Sequence, residues 1–285
     1  MPQELEIKLT LSPAAQKRAH NWLLMHAPAE AAPAQTLVNI YYDTPSTDLA
    51  RLKAALRVRQ VGGEFIQTLK TRGELVNGAH RREEWEWPLP SARLDTELLK
   101  ETPIAGRLPL ADLTPVFETN FERRPVILDD GLARIECAFD SGRIIAGAQQ
   151  RALHELELEL KAGAESQLLV WARRLAAEAA MFLNPISKAE QGYYLAGLAL
   201  PPKGRESDPC NEFNRALGRL WLTGEGMAAV LDAMAALEDR AREQDVLADW
   251  QWLRERMAGD TGGDPFSDSR LGRFQLALVA PSNDA

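Results

Sequence analysis

Hydrophobic and polar residues alternate strictly near the start of the chain. In ELEIKLTL, at positions 4–11, every second residue is apolar, and the positions between carry Glu4, Glu6, Lys8 and Thr10. Because successive side chains of a strand point to opposite faces, this pattern predicts a half-buried strand with a charged second face. Two carboxylates and an ammonium on one face can hold a divalent cation beside an anion, although a solvated charged face shows the same pattern.

The alternation returns in later segments, which predict further strands. These segments lie at 37–45, 56–61, 65–71, 80–87, 116–128, 133–145 and 153–161. The turns predicted between or beside them are Gly62-Gly63, Asn77-Gly78, Asp130-Gly131 and Ser141-Gly142. In the last segment Glu155, Glu157 and Glu159 alternate with leucines, so it repeats the pattern of the first strand.

Helix signals lie between and after these strands. Ser12-Pro13 predicts a helix start, and the core side of this helix is expected to carry Trp22, Leu23 and Met25. Further helical segments are predicted at 47–55, roughly 164–183, and within 183–198. A Pro-rich linker at 201–209 precedes a predicted antiparallel helical pair, at 211–222 and 225–258, and a short tail. We therefore expect a β-rich domain at 1–200 and a helical extension at 201–285.

Composition limits the classes of function. The 285-residue chain has a net charge of -8 and a pI of about 5.2, so its bulk charge does not favour nucleic acid or an anionic membrane. Cys137 and Cys210 show no metal-ligand spacing and no disulfide framework. No signal-peptide pattern precedes the first strand, and no apolar run reaches the roughly 18 residues of a membrane-spanning helix. We expect a cytoplasmic protein that meets a polyanion through a local basic cluster.

The polar faces of the predicted strands are rich in ions of both signs. By strand parity they collect Glu4, Glu6, Lys8, Arg57, Arg59, Lys70, Arg82, Glu84, Glu86, Arg123, Arg134, Glu136, Asp140, Glu155, Glu157 and Glu159. A dry interior does not accept so many ions, because each is costly to desolvate. A water-filled antiparallel barrel accepts them, with polar faces toward the lumen and helices covering the apolar faces. The expected fold class is α+β.

These charges suit phosphate chemistry. Clustered carboxylates repel one another unless hard divalent cations lie among them, and magnesium takes oxygen ligands that often include substrate phosphates. The guanidinium forks of arginine match phosphate oxygens. Both sets in one lumen indicate phosphoryl transfer or phosphoanhydride hydrolysis, in which positioning and charge neutralisation do most of the catalysis.

An ordered set of motifs carries a family resemblance. The opening Glu4-Leu5-Glu6-Ile7-Lys8 has the form ExExK, which alone is a weak motif. It is followed in order by YYDTP (41–45), LRVR (56–59), TLK (68–70), RREE (81–84), FERR (121–124), IECAFDSG (135–142), ELELELK (155–161) and SKAEQGYYL (187–195). Over about residues 1–200 this set resembles the CYTH superfamily, the triphosphate tunnel metalloenzymes, and within it the bacterial inorganic triphosphatases.

The resemblance implies an eight-stranded antiparallel tunnel that hydrolyses inorganic triphosphate to pyrophosphate and phosphate with Mg²⁺ or Mn²⁺. It implies that the metal ligands are Glu4, Glu6, Glu157 and Glu159, with Glu155 as a further candidate. The phosphates would be gripped by Lys8, Arg57, Arg59, Lys70, Arg82 and Arg123, and by Lys188 from a helical segment that closes one end. Glu136 and Asp140 would hold a second metal or orient the basic residues. Glu84 is the candidate for orienting the attacking water, and Lys8 is the second catalytic candidate.

Some residue assignments keep an alternative. Arg134 and Glu86 are either substrate contacts or rim ion pairs. Arg123 is preferred to Arg124 because it shares parity with Phe121, an order that a β-bulge would reverse. The four histidines show no ligand spacing and are expected in structural or surface positions.

Alternatives also remain for the function. One is hydrolysis of an organic triphosphate, such as thiamine triphosphate or a nucleoside triphosphate, and another is adenylate cyclisation. A different class is a non-catalytic polyphosphate-binding module. Tyr41 and Tyr42 are assigned to packing, so the expected lumen has no aromatic residue, which favours the bare inorganic substrate.

The C-terminal region departs from the pattern of the resembling family. Long relatives of this type continue into a CHAD domain, a histidine-rich helical module associated with polyphosphate. The residues after the predicted linker contain no histidine and more acidic than basic residues. They are expected to be a reduced remnant of that module or an unrelated helical pair, with a role in packing or assembly. The oligomeric state is left open.

Overall fold

The computed structural model describes residues 3–71, 73–76, 78–200, 206, 208–259 and 264–279 of the 285-residue chain. Its strands are β1 (Gln3–Leu11), β2 (Ala29–Ala31), β3 (Gln35–Asp43), β4 (Ala55–Val61), β5 (Glu64–Lys70), β6 (Glu74–Val76), β7 (Ala79–Leu89), β8 (Thr114–Asp129), β9 (Ala133–Ala146), β10 (Gln149–Gly163) and β11 (Met181–Leu183). Its helices are α1 (Pro13–His26), α2 (Asp48–Arg51), α3 (Ser166–Glu178), α4 (Lys188–Leu195), α5 (Pro209–Thr223), α6 (Met227–Ala235), α7 (Glu238–Glu243), α8 (Leu247–Met257) and α9 (Ser269–Leu278).

Eight of these strands close into one antiparallel barrel. The order around the ring is β1, β10, β9, β8, β3, β4, β5 and β7, and β7 pairs again with β1. The short strands β2, β6 and β11 pair beside the ring with β8, β7 and β1. The predicted eight-stranded α+β barrel is confirmed. Alternate residues of each ring strand therefore point into a common lumen.

The outer face of β1 is covered by helices α1 and α3. Its four leucine and isoleucine side chains are buried in one cluster with Leu23 of α1 and Leu175 of α3. Helix α1 begins where predicted, because Ser12 Oγ accepts a hydrogen bond from the Ala15 amide at 3.2 Å. Met25, which was expected in the core, is 70% exposed. It lies two residues after Leu23, and this spacing puts it on the other side of a helix.

The predicted turn at Ser141-Gly142 is wrong. These residues lie inside β9, where Gly142 pairs with Phe121 of β8. A Cβ atom at Gly142 would come within 2.2 Å of the Asn120 carbonyl oxygen, so only glycine permits this close approach of the strands. The chain turns instead at Gly147, whose φ of +56° is favourable for glycine.

Two predicted helices are shorter than expected. The segment 47–55 contains only the four-residue α2, with positive φ at Thr47 before it and at Lys53 after it. Helix α3 ends at Glu178, and Met181, which was predicted in this helix, begins β11. The strand β11 pairs with β1 beside the ring, so the chain runs from helix directly back to the sheet.

The C-terminal region forms α5 to α9 rather than a helical pair and a tail. Gly224 and Gly226 have positive φ and separate α5 from α6, while Asp245, with φ +56°, separates α7 from α8. Helix α9 falls in the expected tail and packs against α3 and β11. Asp268 caps α9, because its carboxylate accepts from the Arg270 amide at 2.9 Å.

Two sequence predictions fall on residues that are not described. Asn77 of the predicted Asn77-Gly78 turn is outside the described residues, as is most of the predicted linker at 201–209. In the described part of the chain, no helix is long and apolar enough to cross a membrane.

Candidate active site

The barrel encloses a cavity of about 1330 Å³ whose wall combines acidic and basic side chains. The structure brings most of the predicted site residues to this wall. They are Glu4, Glu6, Lys8, Arg57, Arg59, Lys70, Arg82, Glu84, Glu86, Arg123, Glu136, Glu157, Glu159 and Lys188. Strand parity therefore identified the face of the sheet that surrounds the lumen.

Three predicted site residues do not line the cavity. Asp140 and Glu155 lie opposite each other on β9 and β10 and are buried, at 0% and 1% exposure. Their carboxylates contact the Lys188 ammonium, at 2.9 Å and 2.7 Å. Arg134 is the second residue of β9, where it is exposed and pairs in register with Asp129 of β8. Its parity matches the lumen residues, but it lies too near the strand end to reach them.

Carboxylates on adjacent strands form one part of the wall. Glu6 of β1 lies opposite Glu159 of β10, and Glu159 lies opposite Glu136 of β9. Glu4 precedes Glu6 by two residues and faces the same way. Burial raises the pKa of Glu159 above its ordinary value, and the negative charges of Glu4 and Glu6 raise it further against the effect of Lys161. This part of the wall concentrates negative charge that a cation would neutralise.

Basic side chains hold the β1 carboxylates in place. Arg82 Nε donates to Glu4 Oε2 at 2.8 Å, and Arg82 Nη2 donates to Glu6 Oε1 at 2.7 Å. Lys70 Nζ donates to Glu4 at 2.8 Å and lies 3.1 Å from Glu84. Burial acts to raise the pKa of Glu4, but Lys70 and Arg82 outweigh it and hold this pKa well below its ordinary range. The Glu4 carboxylate is therefore ionised at neutral pH.

The part of the wall on β4 and β8 is positive. Arg59 Nε donates to the Asn39 side-chain oxygen at 2.8 Å, and the described residues offer Arg59 no ion-pair partner. Burial, followed by the positive charges of Arg57 and Arg123, lowers the pKa of Arg59 to about 9. The Nε atom of Arg57 is also buried without a hydrogen-bond acceptor in the described part of the chain. This part of the wall is suited to receive an anion.

Arg123 faces the lumen, and its neighbour Arg124 faces outward. Arg123 donates through Nε and Nη2 to both carboxylate oxygens of Asp140, at 2.7 Å each, and Nη2 also donates to Glu157 at 2.7 Å. Arg124 is exposed and pairs with Glu122 on the outer surface. The bidentate contact fixes the plane of the Arg123 guanidinium beside Arg59.

Lys188 enters the lumen from the first position of α4. Ser187 caps this helix, because its Oγ accepts from the Glu190 amide at 3.1 Å while Glu190 Oε2 accepts from the Ser187 amide at 2.8 Å. The Lys188 ammonium lies 2.7–2.9 Å from carboxylate oxygens of Asp140, Glu155 and Glu157. The cap and the three carboxylates together fix the position of this charge.

The acidic wall has the donor chemistry of a divalent metal site. Among the described residues no three His, Cys, Asp or Glu side chains are arranged around one metal position, and Arg82, Lys70 and Lys161 contact the carboxylate oxygens instead. Carboxylate oxygens are the ligands that Mg²⁺ and Mn²⁺ prefer. The residues present therefore fit a divalent metal, and those on this wall are Glu4, Glu6, Glu136 and Glu159.

The wall also contains ionisable residues that the sequence analysis did not select. Lys161 lies 2.7 Å from Glu159 and 3.8 Å from Glu136. His80 lines the cavity with Nε2 unpartnered among the described residues, and burial, Lys8 and Arg82 lower its pKa well below its ordinary value. Lys161 has the same strand parity as Glu159, and His80 has that of Arg82, so parity was the signal that would have found both.

The expectation of a lumen without aromatic residues is wrong. Tyr41 and Tyr193 both line the cavity. Tyr41 stacks on Phe117 with ring centroids 4.6 Å apart, and the Tyr193 hydroxyl donates to Asp43 at 2.7 Å. Tyr41 pairs in register with Arg57 of β4, and paired residues lie on the same face of the sheet. Tyr41 therefore faces the lumen as Arg57 does.

The C-terminal extension contributes to the same wall. Arg215 and Asn211 of α5, together with Glu206, line the cavity beside Lys188. No sequence motif indicated this contribution, because it depends on how α5 packs against the barrel. The cavity is therefore bounded by residues from both predicted regions of the chain.

A closed antiparallel barrel with carboxylates and guanidinium groups in its lumen defines the class of this protein as a charged tunnel fold. The chain matches the CYTH domain family over residues 2–193, and it belongs to this family. The resemblance found from the ordered motifs is thereby confirmed. Membership of this family of tunnel metalloenzymes implies a divalent metal.

Individual relatives are similar to more than half of the chain. An inorganic triphosphatase from Haemophilus influenzae is 36% identical over 206 residues, which cover 68% of this chain and 55% of that protein. The chain thus spans about half the length of this curated relative. A Hippeastrum protein, described as an adenylyl cyclase with a dominant triphosphatase activity, is 19% identical with a TM-score of 0.49, covering 71% of this chain and 100% of that one. The Mimivirus capping enzyme triphosphatase is 13% identical with a TM-score of 0.36, covering 60% and 88%.

Proposed function

We propose that this protein hydrolyses inorganic triphosphate to pyrophosphate and phosphate with a divalent metal. The observation that carries the proposal is the Arg59 guanidinium, which has no ion-pair partner among the described residues and lies near Arg57 and Arg123. Like charges at such a place are costly unless an anion neutralises them, and phosphate oxygens match guanidinium forks. The triphosphatase from Haemophilus influenzae, 36% identical, supports this activity.

Metal ions would be held by the acidic wall. We assign Glu4, Glu6 and Glu159 of this wall as ligands, with Glu136 as a further ligand, and we add Glu157, which lies two residues before Glu159 on β10. The ion is Mg²⁺ or Mn²⁺. A bound divalent metal would neutralise phosphate charge and polarise the bridging bond of the substrate. Asp140 and Glu155, which lie off the cavity wall, orient Arg123 and Lys188 instead.

The phosphates would lie between the acidic wall and the arginines. Arg57, Arg59 and Arg123 bind phosphate oxygens from one side. The ammonium and guanidinium groups that already contact the carboxylates, Lys8, Lys70, Arg82 and Lys188, hold the phosphates beside the metal ligands. Lys8 lies between Glu6, at 3.3 Å, and Glu157, at 3.4 Å, and we assign it to neutralise charge that develops in the transition state.

Glu84 is our candidate for orienting the attacking water. Its carboxylate lines the cavity, 3.1 Å from the Lys70 ammonium and 4.0 Å from the Arg57 guanidinium. A carboxylate accepts a hydrogen bond from a water molecule and can thereby point the lone pair of the water oxygen toward a phosphorus atom.

The lumen favours a bare inorganic substrate over an organic triphosphate. A base or a thiazole ring would need a free aromatic or apolar face. The Tyr41 ring stacks on Phe117, and the Tyr193 hydroxyl donates a hydrogen bond to Asp43, so both tyrosines already have partners within the protein. Charged side chains outnumber the apolar ones on the remaining wall, which include Leu37, Val61 and Ile66, and this excess of charge suits an anion without an organic group.

We assign residues 1–200 to the tunnel domain and 201–285 to the helical extension. We place the protein in the cytoplasm. Its two cysteines, Cys137 and Cys210, are buried free thiols, which agrees with a reducing compartment.

The test is phosphate release by the full chain from tripolyphosphate, pyrophosphate, ATP and thiamine triphosphate, each with Mg²⁺, with Mn²⁺ and with chelator. We expect fast, chelator-sensitive release from tripolyphosphate, with pyrophosphate left intact. Preference for ATP or thiamine triphosphate would identify an organic triphosphatase, and cyclic AMP as product would identify a cyclase. Binding of tripolyphosphate without turnover would identify a polyphosphate-binding module.

A further inference from the structure

Helix α5 lies against the segment that connects the barrel to α4. A Cβ atom on Gly218 of α5 would lie 2.6 Å from the Asn184 side-chain oxygen and 2.8 Å from Ile186, so the two segments are in close contact. Asn184 is fixed to β1, because its amide donates to the Lys8 carbonyl and its side chain donates to Thr10 Oγ1, each at 3.0 Å. Helix α5 therefore packs on the same short segment that positions the start of α4.

A buried amide network fixes how α5 sits on the barrel. Gln275 Nε2 donates to the Leu183 carbonyl and to the Asn214 side-chain oxygen, both at 2.9 Å. The Leu183 amide donates back to Gln275 Oε1 at 2.9 Å. Gln275 and Asn214 are at most 3% exposed. Because a buried amide without its partner is costly, this network favours one arrangement of α5 and α9 against the sheet.

Arg215, the neighbour of Asn214, reaches from this interface to the cavity. Its Nη1 donates to Glu190 Oε1 at 3.1 Å, and its Nε donates to Glu206 Oε1 at 3.0 Å. The side chain is 16% exposed and lines the cavity. Glu190 is the residue whose other oxygen accepts from the amide and hydroxyl of Ser187, at 2.8 Å each. One carboxylate thus connects the extension to the N-terminal cap of α4.

Lys188 directly follows that cap. Its ammonium keeps three carboxylate contacts of 2.7–2.9 Å, so a small displacement of the helix start would change all of them. On its other side α4 is held against the barrel at Gly192, where a Cβ atom would lie 2.2 Å from the Phe117 ring. The start of α4 is therefore held between the barrel and α5, and Arg215 makes the charged contact on the α5 side.

We propose that Arg215 is a positioning residue, through which the C-terminal extension holds the Glu190 cap of α4 and so keeps Lys188 in place in the lumen. The extension then completes the active site rather than only packing beside it. The catalytic consequence rests on the proposed function, whereas the structural consequence for α4 does not.

The test compares full-length Arg215→Ala and Arg215→Lys with the unchanged protein and with Arg240→Ala. Arg240 is a matched control because it pairs with Asp208, the cap of α5, at 3.1 Å and does not line the cavity. Hydrogen exchange of the peptide covering residues 187–196 should be faster in Arg215→Ala, unchanged in Arg240→Ala and mostly restored in Arg215→Lys. The kcat for tripolyphosphate should fall about tenfold in Arg215→Ala, because a displaced catalytic group loses its alignment.

A second comparison separates positioning from direct contact with the substrate. In a Lys188→Ala background, Arg215→Ala should change kcat by less than about twofold if it acts through Lys188. A further tenfold loss of kcat in this background would overturn the proposal. Unchanged hydrogen exchange of residues 187–196 in Arg215→Ala would also overturn it. If the unchanged protein hydrolyses none of the phosphate substrates, the proposed function fails, and the exchange result alone decides whether Arg215 holds α4.

Discussion

Lys188 Nζ lies 2.9 Å from Oδ2 of Asp140, a carboxylate with no solvent exposure. Burial of the ammonium acts to lower the pKa of Lys188, but Asp140, Glu155 and Glu157 outweigh it and raise this pKa well above its ordinary value. The charge is thus permanent in the folded protein. A permanent positive charge at the cavity wall agrees with the phosphate-binding role that we propose for Lys188.

Replacement of Lys188 should therefore affect both activity and stability. Lys188→Met should lower kcat for tripolyphosphate by about 100-fold, since it removes a fixed charge from the site. It should also lower the free energy of unfolding by about 3–5 kcal/mol, because the buried Glu155 carboxylate loses its contact with a cation and the buried Asp140 is left with its contact with Arg123. Steady-state kinetics and urea unfolding would measure the two effects. Lys100→Met, which removes an exposed lysine that pairs with Glu97, should leave both nearly unchanged.

Replacement of Arg59 should weaken substrate binding but increase the stability of the fold. Its pKa of about 9 lies below the ordinary value of 12.5, so the folded state disfavours the charged form, and this penalty is present at every pH below about 9. Arg59→Gln should therefore raise the unfolding midpoint of the ligand-free protein at pH 7 by about 2–4 °C. It should raise KM for tripolyphosphate by about 100-fold through the lost guanidinium contact.

Thermal unfolding with and without tripolyphosphate would measure these changes. The substrate anion should raise the midpoint of the unchanged protein strongly and that of Arg59→Gln only weakly. Arg124→Gln, on the outer face beside Glu122, serves as the control and should behave like the unchanged protein. A lower midpoint for Arg59→Gln would show that the charge is already neutralised within the protein.

Glu159 should be required for use of the metal. Glu159→Gln keeps the size of the side chain but removes its charge from the wall shared with Glu6 and Glu136. We expect kcat to fall by about 100-fold or more, with a higher metal concentration needed for half-maximal activity. Activity would be measured across a titration of Mg²⁺ and of Mn²⁺. Full activity at the usual metal concentration would remove Glu159 from the ligand set, and Glu122→Gln on the outer surface is the matched control.

Glu157 should contribute to the acid sensitivity of the fold. Burial acts to raise the pKa of Glu157, but Lys188, Lys8 and Arg123 outweigh it and hold this pKa well below the ordinary value of 4.5. A lowered folded-state pKa contributes stability that is fully present above about 4.5 and is lost as the pH falls below it. Glu157→Gln should therefore be less stable than the unchanged protein at pH 7, with a smaller further loss on acidification.

Urea unfolding in chelator between pH 3 and pH 7 would measure this difference without a contribution from metal. The two stability curves should converge as the pH falls below the ordinary pKa of the carboxyl group. Parallel curves would mean that Glu157 titrates alike in the folded and unfolded states.

Strand parity predicted most of the barrel and most of its lumen. Alternation depends only on the geometry of a strand, so Glu6, Lys8 and Glu159 could be assigned to one face from the sequence alone. Parity does not give the height of a residue along the barrel. Arg134 has the right parity and lies at the strand end, outside the cavity.

Distances across the ring could not be predicted in the same way. Asp140 has the parity of a lumen residue, yet Arg123 and Lys188 cover it and it has no exposure. The glycine at 142 looked like a turn because glycine is common there, whereas close packing against Asn120 is the physical reason for it. The position of Arg215 at the cavity was the least predictable from the sequence, because it depends on how a separate helical region packs against the barrel.

The closure of the barrel through β1 constrains how the chain folds during synthesis. β1 is made first, yet its ring partners are β7 and β10, and β10 ends at Gly163. The ring can therefore close only after β10 has left the ribosome, which makes closure a step between segments that are distant in the sequence. Glu6 and Glu159 meet only at that step. A nascent chain cannot assemble this acidic wall early, so on the proposed function the binding of metal and of phosphate would wait for the completed barrel.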